Sequence, residues 1–406
     1  MRRILTVVVA VLAIAPAAAE AHRADEIRFA TYNLSLNRSA EGLLVEHLSH
    51  PEVDDVFRAQ ARNVAEVIQR ARPDVLLINE FDYAPAAVDL FRDNFLEVSH
   101  NGSEPIHYPY AYIAPSNTGV PSGKDLDNNG TVGGGNDAFG FGAFHGQFGM
   151  VVYSKYPIDT RRVRTFQHFL WKDMPGNRIP TPFYSPDEVD ILRLSSKSHW
   201  DVPIKVGRRT VHFLVSHPTP PVFDGPEDRN GTRNADEIRF WADYVAWPFR
   251  GRYIYDDNGR RGGLLPGERF VIAGDQNSDP LDGDSIPGAA QQLLEHPLVN
   301  ARSAPASAGG PEAAALQGGA NSTHRSDPRF DTADFSDTAP GNLRADYVLP
   351  SWNMKIERSA VFWPVQADPL SRLSGVFDGV KWGPVGGFPT SDHRLVWADV
   401  RVRGWG

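Results

Sequence analysis

The sequence predicts an α/β fold, and three observations carry that reading. Between residues 26 and 80 the pattern runs strand, helix, strand. Short apolar runs of strand length recur through the rest of the chain. Among 406 residues there are 36 glycines and 32 prolines, a balance that favours turns and loops over long helices. Apolar residues make up 41% and charged residues 22%, as in an ordinary folded protein. No internal repeat or linker divides the chain, so residues 25–406 are expected to form a single domain with large loop insertions.

The elements follow in order. EIRFATYNLSL (26–36) alternates and is rich in β-formers up to Asn33, a strand ending in a polar mouth. Over 54–71, Phe57, Ala61, Val64, Val67, Ile68 and Ala71 recur at helical spacing. Asp54 and Asp55 suit the start of that helix, Arg70 and Arg72 its end, and Pro73 stops it. DVLLINE (74–80) is a continuous apolar run, the pattern of a buried strand, and it ends in Glu80. Residues 115–147, mostly Gly, Asn, Asp and Ser, read as a long loop. FGMVVYSKYPI (148–158) reads as a strand and a proline turn, with further strands expected at 160–167, 189–197 and 209–216. After a Pro/Gly loop at 218–232, residues 233–247 read as an amphipathic helix with Thr232 as its N-cap. RFVIAGDQNSDP (269–280) is a strand with a polar end, and 301–320 is an Ala/Gly/Ser-rich surface insert. RADYVLP (344–350) and HRLVWADV (393–400) close the set of strands, while Trp241, Trp247 and the Phe residues of 139–148 read as core.

The first residues have another character. Arg2 and Arg3 precede an apolar run from Ile4 to Ala15, and Ala17-Ala18-Ala19 and Ala19-Glu20-Ala21 both fit an A-x-A cleavage site. Residues 1–21 are therefore expected to be a secretory signal peptide, and the protein to be secreted, extracellular or periplasmic. The apolar run is short for a bilayer span and no later stretch is long enough, so no stable membrane insertion is expected. The absence of cysteine excludes thiolate chemistry and zinc–cysteine sites. A net charge of −9 argues against binding polyanions by bulk electrostatics and is compatible with bound divalent cations.

Polar residues with chemical capacity gather at strand ends. Asn33 follows RFATY, Glu80 follows LLIN, and Asp275 and Asn277 follow FVIAG. His217 follows TVHFLVS, Asp346 stands in RADYVL, and Asp392 and His393 precede RLVWADV. Strands that bring such ends to one edge build a shared site. Glu80 and Asp275 are hard oxygen ligands suited to Mg²⁺, Mn²⁺ or Ca²⁺. His217 and His393 can donate hydrogen bonds to an anionic oxygen or take a proton from water, and a neighbouring carboxylate can orient either. Carboxylates, amides and two imidazoles suit hydrolysis of a phosphate ester, where charge builds on non-bridging oxygens while water attacks in line.

The set TYN, NE, SHP, GDQNS, RADYVL and SDHRLV, in that order, resembles the endonuclease/exonuclease/phosphatase superfamily over roughly 27–402. The resemblance implies a four-layer α/β/β/α sandwich with two central mixed sheets. It implies metal-site roles for Asn33, Glu80 and Asp392, and catalytic roles for His217, Asp275, Asn277, Asp346 and His393. In that scheme Asp275 positions or activates the attacking water and Asn277 holds a phosphoryl oxygen. His393 is the base or transition-state donor with Asp346 as its orienting carboxylate, and His217 donates to phosphate or leaving group. Some members carry an Asp two residues after the first Asn; here that position is Ser35, which leaves the metal count open.

Two further groups stand out. In KDLDNNGTVGGGND (124–137), Asp125, Asp127 and Asn129 are spaced like the opening of a calcium loop, with Gly130 at position six and Asn136 at position twelve. They are candidate ligands of a structural Ca²⁺. Arg233 and Asn234, at the expected helix start, are candidates for reaching an anionic substrate. The expected function is a secreted, Mg²⁺-dependent (or Mn²⁺- or Ca²⁺-dependent) hydrolase of a small or extracellular phosphate mono- or diester. A secreted nuclease acting on nucleic acid is the alternative. A non-catalytic binding module would predict loss of Glu80, Asp275, His393 or His217, and all four are present.

Overall fold

Alternation along the strands sorts the apolar side chains into three layers of core. The computed structural model describes residues 26–246, 248–375 and 387–402; the expected signal peptide and Trp247 lie outside them. The strands are β1 (Glu26–Asn33), β2 (Val75–Asn79), β3 (Tyr110–Tyr112), β4 (Met150–Ser154), β5 (Arg164–Thr165), β6 (His199–Val206), β7 (Arg209–Ser216), β8 (Arg269–Asp275), β9 (Ala333–Asp334), β10 (Asn342–Leu343), β11 (Asp346–Pro350), β12 (Lys355–Val361) and β13 (Val396–Arg401). One sheet has the order β12-β13-β1-β2-β4-β3, the other β11-β8-β7-β6-β5, and β9 pairs with β10 apart from both. Each large sheet is mixed: β1 and β2 are parallel, as are β7 and β8, and the remaining pairs are antiparallel.

Side chains two apart share a face of a strand. Phe29, Val75, Leu77 and Val152 of the first sheet pack with Phe213, Val215, Val271 and Ala273 of the second in one central cluster. The intervening residues Leu76, Ile78, Val151 and Tyr153 point the other way, against Val64, Val67 and Ile68 of the helix Val56–Ala71. On the far side Leu214, Ile272 and Tyr347 meet Ile238, Trp241 and Val245 of the helix Arg229–Val245. Helix, sheet, sheet and helix give the four-layer sandwich. The helix 56–71 begins as its sequence suggests: the Asp55 carboxylate accepts the Arg58 N–H at 2.8 Å.

Several boundaries differ from the sequence reading. Residues 189–197 are not a strand. Pro186–Val189 is a short helix, and the strand of this region is β6, further on. Pro203 and Asp201 inside β6 broke its apolar pattern, yet Asp201 is buried because the His212 ring and the Tyr244 hydroxyl both bond it, at 2.6 Å each. The long helix starts at Arg229, so Thr232 sits inside its first turn, with its hydroxyl on the Arg229 carbonyl. The strand expected over 160–167 shrinks to β5, because Thr160–Arg162 close a 3₁₀ turn. Within 301–320 the chain forms a helix, Gly309–Gln317. The exposed edge strand β12 gave no alternating signal.

Gly274 shows how closely the second sheet is built. It sits in β8 at φ +145°, and a Cβ there would lie 2.0 Å from the Ser216 carbonyl oxygen of β7. Only glycine satisfies both the backbone angle and the approach. Gly274→Ala is expected to lower stability by about 3 kcal/mol or more. Gly176→Ala, at φ +63° with open space around it, should cost only about 1 kcal/mol. Urea unfolding midpoints of the two variants test the difference.

Candidate active site

Strand direction decides which ends meet. Because β1 runs parallel to β2 and β7 to β8, the C-terminal ends of β1 and β2 and those of β7 and β8 fall together in pairs. They carry Asn33, Glu80, His217 and Asp275. β11 is antiparallel to β8, and its first residue, Asp346, pairs with Asp275. β13 is antiparallel to β1, so the turn before it brings Asp392 and His393 to the same edge.

Asp275 is the hub. Its Oδ2 accepts the Asn33 amide N–H at 3.1 Å, with His217 Nε2 at 3.4 Å and His393 Nε2 at 3.5 Å. Its Oδ1 accepts the Asn277 backbone N–H at 2.8 Å, and its own N–H donates to Asn79 Oδ1 at 3.2 Å. His393 Nδ1 bonds Asp346 Oδ2 at 2.8 Å, and the Thr332 hydroxyl donates to that same oxygen at 2.8 Å. Asn277 donates its side-chain N–H to the Pro218 carbonyl at 3.1 Å. Asn33, His217, Asp275, Asp346 and His393 are all buried. Glu80 and Asp392 are partly exposed at the mouth. Ser35, Glu80 and Asn277 take left-handed φ of 50°, 57° and 50°, a concentration of backbone strain at one place.

Charge is distributed unevenly here. Burial works to lower the His393 pKa, but the Asp346 and Asp275 carboxylates outweigh it and hold the ring well above the ordinary histidine range. Burial works to raise the Asp275 pKa, but the two imidazoles hold it well below the carboxylate range. Burial, then the Lys197 charge, lowers His217 to about 4. The buried His217 Nδ1 has no hydrogen-bond partner among the described residues. Burial and the Asp392 charge push Glu80 up to about 7.

A cleft of about 480 Å³ opens onto these groups. Glu80, His217, Asp275, Asn277, Asp392 and His393 line its polar side, and Pro220, Pro221, Phe223, Phe335, Pro340 and Leu343 its apolar side. Phe335 stands edge-on to His393 at 5.3 Å, and Phe223 is 87% exposed. Thr332 and Phe335 carried no strand-end signal, and sequence reasoning missed them; Asn79, the last residue of β2, was given no role beside Glu80. Ser35 donates its hydroxyl to Asp392 Oδ1 at 3.2 Å, so it steadies that carboxylate.

Arg233 and Asn234 turn away from the cleft. Arg233 spends its guanidinium on the Leu194, Phe139 and Arg193 carbonyls, and Asn234 bonds the Thr219 and Gln276 carbonyls from a fully buried position. They sit inside the helix, because it begins four residues earlier than its sequence suggests; Asn234 fixes the loops that carry His217 and Asn277, and Arg233 ties down the segments at 139 and 193–194. In the glycine-rich loop, Asp125 and Asp127 come together with Asp137, carboxylate oxygens within 4.8 Å of one another. Asn129 instead donates its backbone N–H to Asp125 and Asp127.

The sequence matches the model of the Endonuclease/Exonuclease/phosphatase family over residues 30–393. The chain belongs to that family. Solved structures similar to it include an endonuclease/exonuclease/phosphatase from Beutenbergia cavernae DSM 12333, at 16% identity, covering 93% of this chain and 72% of that one with a TM-score of 0.49. TDP2 from Caenorhabditis elegans is 14% identical over 93% of this chain and 75% of that one, with a TM-score of 0.43. Sphingomyelinase C from Streptomyces griseocarneus is 17% identical over 92% of this chain and 99% of that one, with a TM-score of 0.42. No curated protein matches the chain.

Two titrations follow from the buried rings. Because its folded pKa is raised, His393 contributes stability that is fully present below about pH 6.5 and lost as pH rises through the folded value. Asp346→Asn should bring the His393 pKa down by about one unit or more, read by NMR on chelator-treated protein. His199 is the opposite case: burial lowers it to about 4, so it favours unfolding as pH falls from about 6.5 to about 4. His199→Gln should flatten the stability slope in that window by up to about 1.4 kcal/mol per pH unit, measured by urea unfolding at stepped pH.

Proposed function

We propose that the protein is a secreted, divalent-metal-dependent phosphoesterase acting on a compact phosphate mono- or diester. One observation carries the reading. Two imidazole Nε2 atoms, from the ends of different sheets, converge on Asp275 Oδ2 at 3.4 and 3.5 Å. Both separations exceed a good hydrogen bond, so the three groups surround a point where a reacting oxygen fits. In this scheme Asp275, held as a carboxylate, orients the attacking water and accepts its proton's hydrogen bond. His393, charged between Asp346 and Asp275, donates to the phosphoryl group as negative charge builds there. His217 and Asn277 flank the phosphoryl oxygens. Asp346, fixed by Thr332, holds the His393 ring in place.

The donor set suits a divalent cation. The Asp392 charge raises the cost of ionising Glu80, and among the described residues no Lys or Arg is bonded to either. Glu80 and Asp392 would hold a hard cation such as Mg²⁺ as its carboxylates, with Asn33 Oδ1, which among the described residues accepts only the Ser35 N–H, beside them. When bound, it would supply Lewis-acid stabilisation of phosphoryl charge.

The walls support a compact substrate. Proline, phenylalanine and leucine make the apolar side of the cleft, and among the described residues no Lys or Arg lines it. A groove that tracks a polyanion is built with such cations. A small ester with an apolar or planar substituent suits these walls, and the leader at 1–21 is consistent with scavenging phosphate outside the cytoplasm.

The purified protein is to be tested on nitrophenyl phosphate, bis-nitrophenyl phosphate, inositol hexakisphosphate and plasmid DNA, with and without chelator. Turnover of a small ester should vanish with chelator and return with Mg²⁺ or Mn²⁺. Glu80→Gln and His393→Ala should each reduce kcat/KM by about 10²-fold or more. Turnover that survives chelation would sink the metal-dependent reading, and plasmid cleavage far faster than ester cleavage would replace it with a nuclease.

A further inference from the structure

A second cavity, of about 200 Å³, lies on the outer face of the second sheet. Arg162, Arg164, His212, Arg260 and Arg261 line it, and no described residue lines both this cavity and the cleft. His212 stands two residues before Leu214 in β7 and shares its face, the one covered by the helix Arg229–Val245. His217 follows five residues later, about 16 Å along an extended strand.

The floor of this cavity is fixed and buried. Arg164 is 3% exposed. Its guanidinium donates to Asp256 Oδ2 and to the Gly262 and Arg260 carbonyls at 2.7 Å each, and to the Tyr244 hydroxyl at 3.1 Å. Those bonds pin the loop that carries Arg260 and Arg261. His212 Nδ1 bonds Asp201 Oδ1 at 2.6 Å, and the Tyr244 hydroxyl donates to Asp201 Oδ2 at 2.6 Å. His212 Nε2 makes no hydrogen bond among the described residues, with Glu268 Oε2 at 3.7 Å, beyond hydrogen-bond reach. Burial works to lower the His212 pKa, but the Asp201 and Glu268 carboxylates outweigh it and hold the ring above its ordinary range.

The rim is cationic. Arg162, Arg260 and Arg261 are exposed, and among the described residues none of their guanidiniums has a hydrogen bond or an ion pair. Arg261 stands over the Tyr255 ring, 5.5 Å from its centre. Two carboxylates also line the cavity, but both Asp201 oxygens are taken by His212 and Tyr244, which leaves Glu268 against the remaining cations. In a chain of net charge −9, four guanidiniums around one concavity do not follow from composition. A concave site of one sign focuses its field, and a guanidinium fork matches an oxyanion with two parallel hydrogen bonds. The volume equals that of roughly six liquid waters, room for a tetrahedral oxyanion and part of its hydration.

We propose that this cavity is a binding site for a small oxyanion of the phosphate class, separate from the active site. Arg162, Arg260 and Arg261 close over the anion from the rim, and His212 Nε2 donates to it from the floor. The inference goes beyond the phosphoesterase reading and does not rest on it, because the site needs neither metal nor turnover.

Inorganic phosphate is titrated by calorimetry into four chelator-treated full-length proteins. They are wild type, His393→Ala, Arg260→Gln/Arg261→Gln, and Arg302→Gln/Arg329→Gln, which removes the same charge from exposed arginines elsewhere. His393→Ala should keep a phosphate site, which places binding outside the cleft. Arg260→Gln/Arg261→Gln should weaken that site about tenfold or more, with kcat/KM on the best ester and the Tm without phosphate both unchanged. Phosphate should raise the Tm of wild type and not of this variant. Sulfate, of similar shape and charge, should compete with phosphate, and chloride at matched ionic strength should not. The proposal is overturned if wild type binds no phosphate or if His393→Ala loses all binding. Affinity within about threefold of wild type in Arg260→Gln/Arg261→Gln, or an equal loss in Arg302→Gln/Arg329→Gln, overturns it as well. Absence of ester hydrolysis would defeat the phosphoesterase reading and leave this comparison intact.

Discussion

The two sheets meet chemically at the carboxylate of Asp275. The residue ends β8 in the second sheet, yet its side chain takes the Asn33 amide from β1 and its N–H reaches Asn79 of β2. His393 approaches from the turn before β13, also of the first sheet. A buried carboxylate must be compensated, and here every compensating group but His217 and Asn277 comes from the opposite sheet. The apolar layer between the sheets holds them at a fixed separation. This polar cluster at its edge fixes how one slides against the other.

The same cluster separates two imidazoles that are chemically identical in the unfolded chain. His393 lies between two carboxylates and is held charged, while His217 has one carboxylate beside it, against which burial prevails, and is held neutral. One ring is thus poised as a charged donor and the other as a neutral one. Their division of labour comes from placement, since the intrinsic acidity of both rings is the same.

The loops set what can enter. Segments 220–223 and 335–343 supply proline and aromatic walls to a site whose floor is entirely polar. Phe335 both lines the cleft and packs edge-on against His393, so the apolar wall also steadies that ring. Strain at Ser35, Glu80 and Asn277 sits where strands give way to these loops, at the residues that face the cleft.

Much of this was legible in the sequence. Period-two alternation and continuous apolar runs located β1, β2, β4, β7, β8 and β11, because burial on one or both faces is written in side-chain type. Polar residues at those strand ends named Asn33, Glu80, His217, Asp275, Asp346 and His393 for the same reason: a costly residue at the mouth of an apolar strand needs a purpose. β6 was hidden because Asp201 and Pro203 are tolerated only through partners far along the chain. Asp137 and Thr332 were invisible because their decisive partners, Leu126 and Asp346, lie 11 and 14 residues away along the chain. Composition and spacing settled which segments are strands and which residues bear chemistry. Three-dimensional packing alone settled which charges stand unpaired, because that is a property of the space between segments.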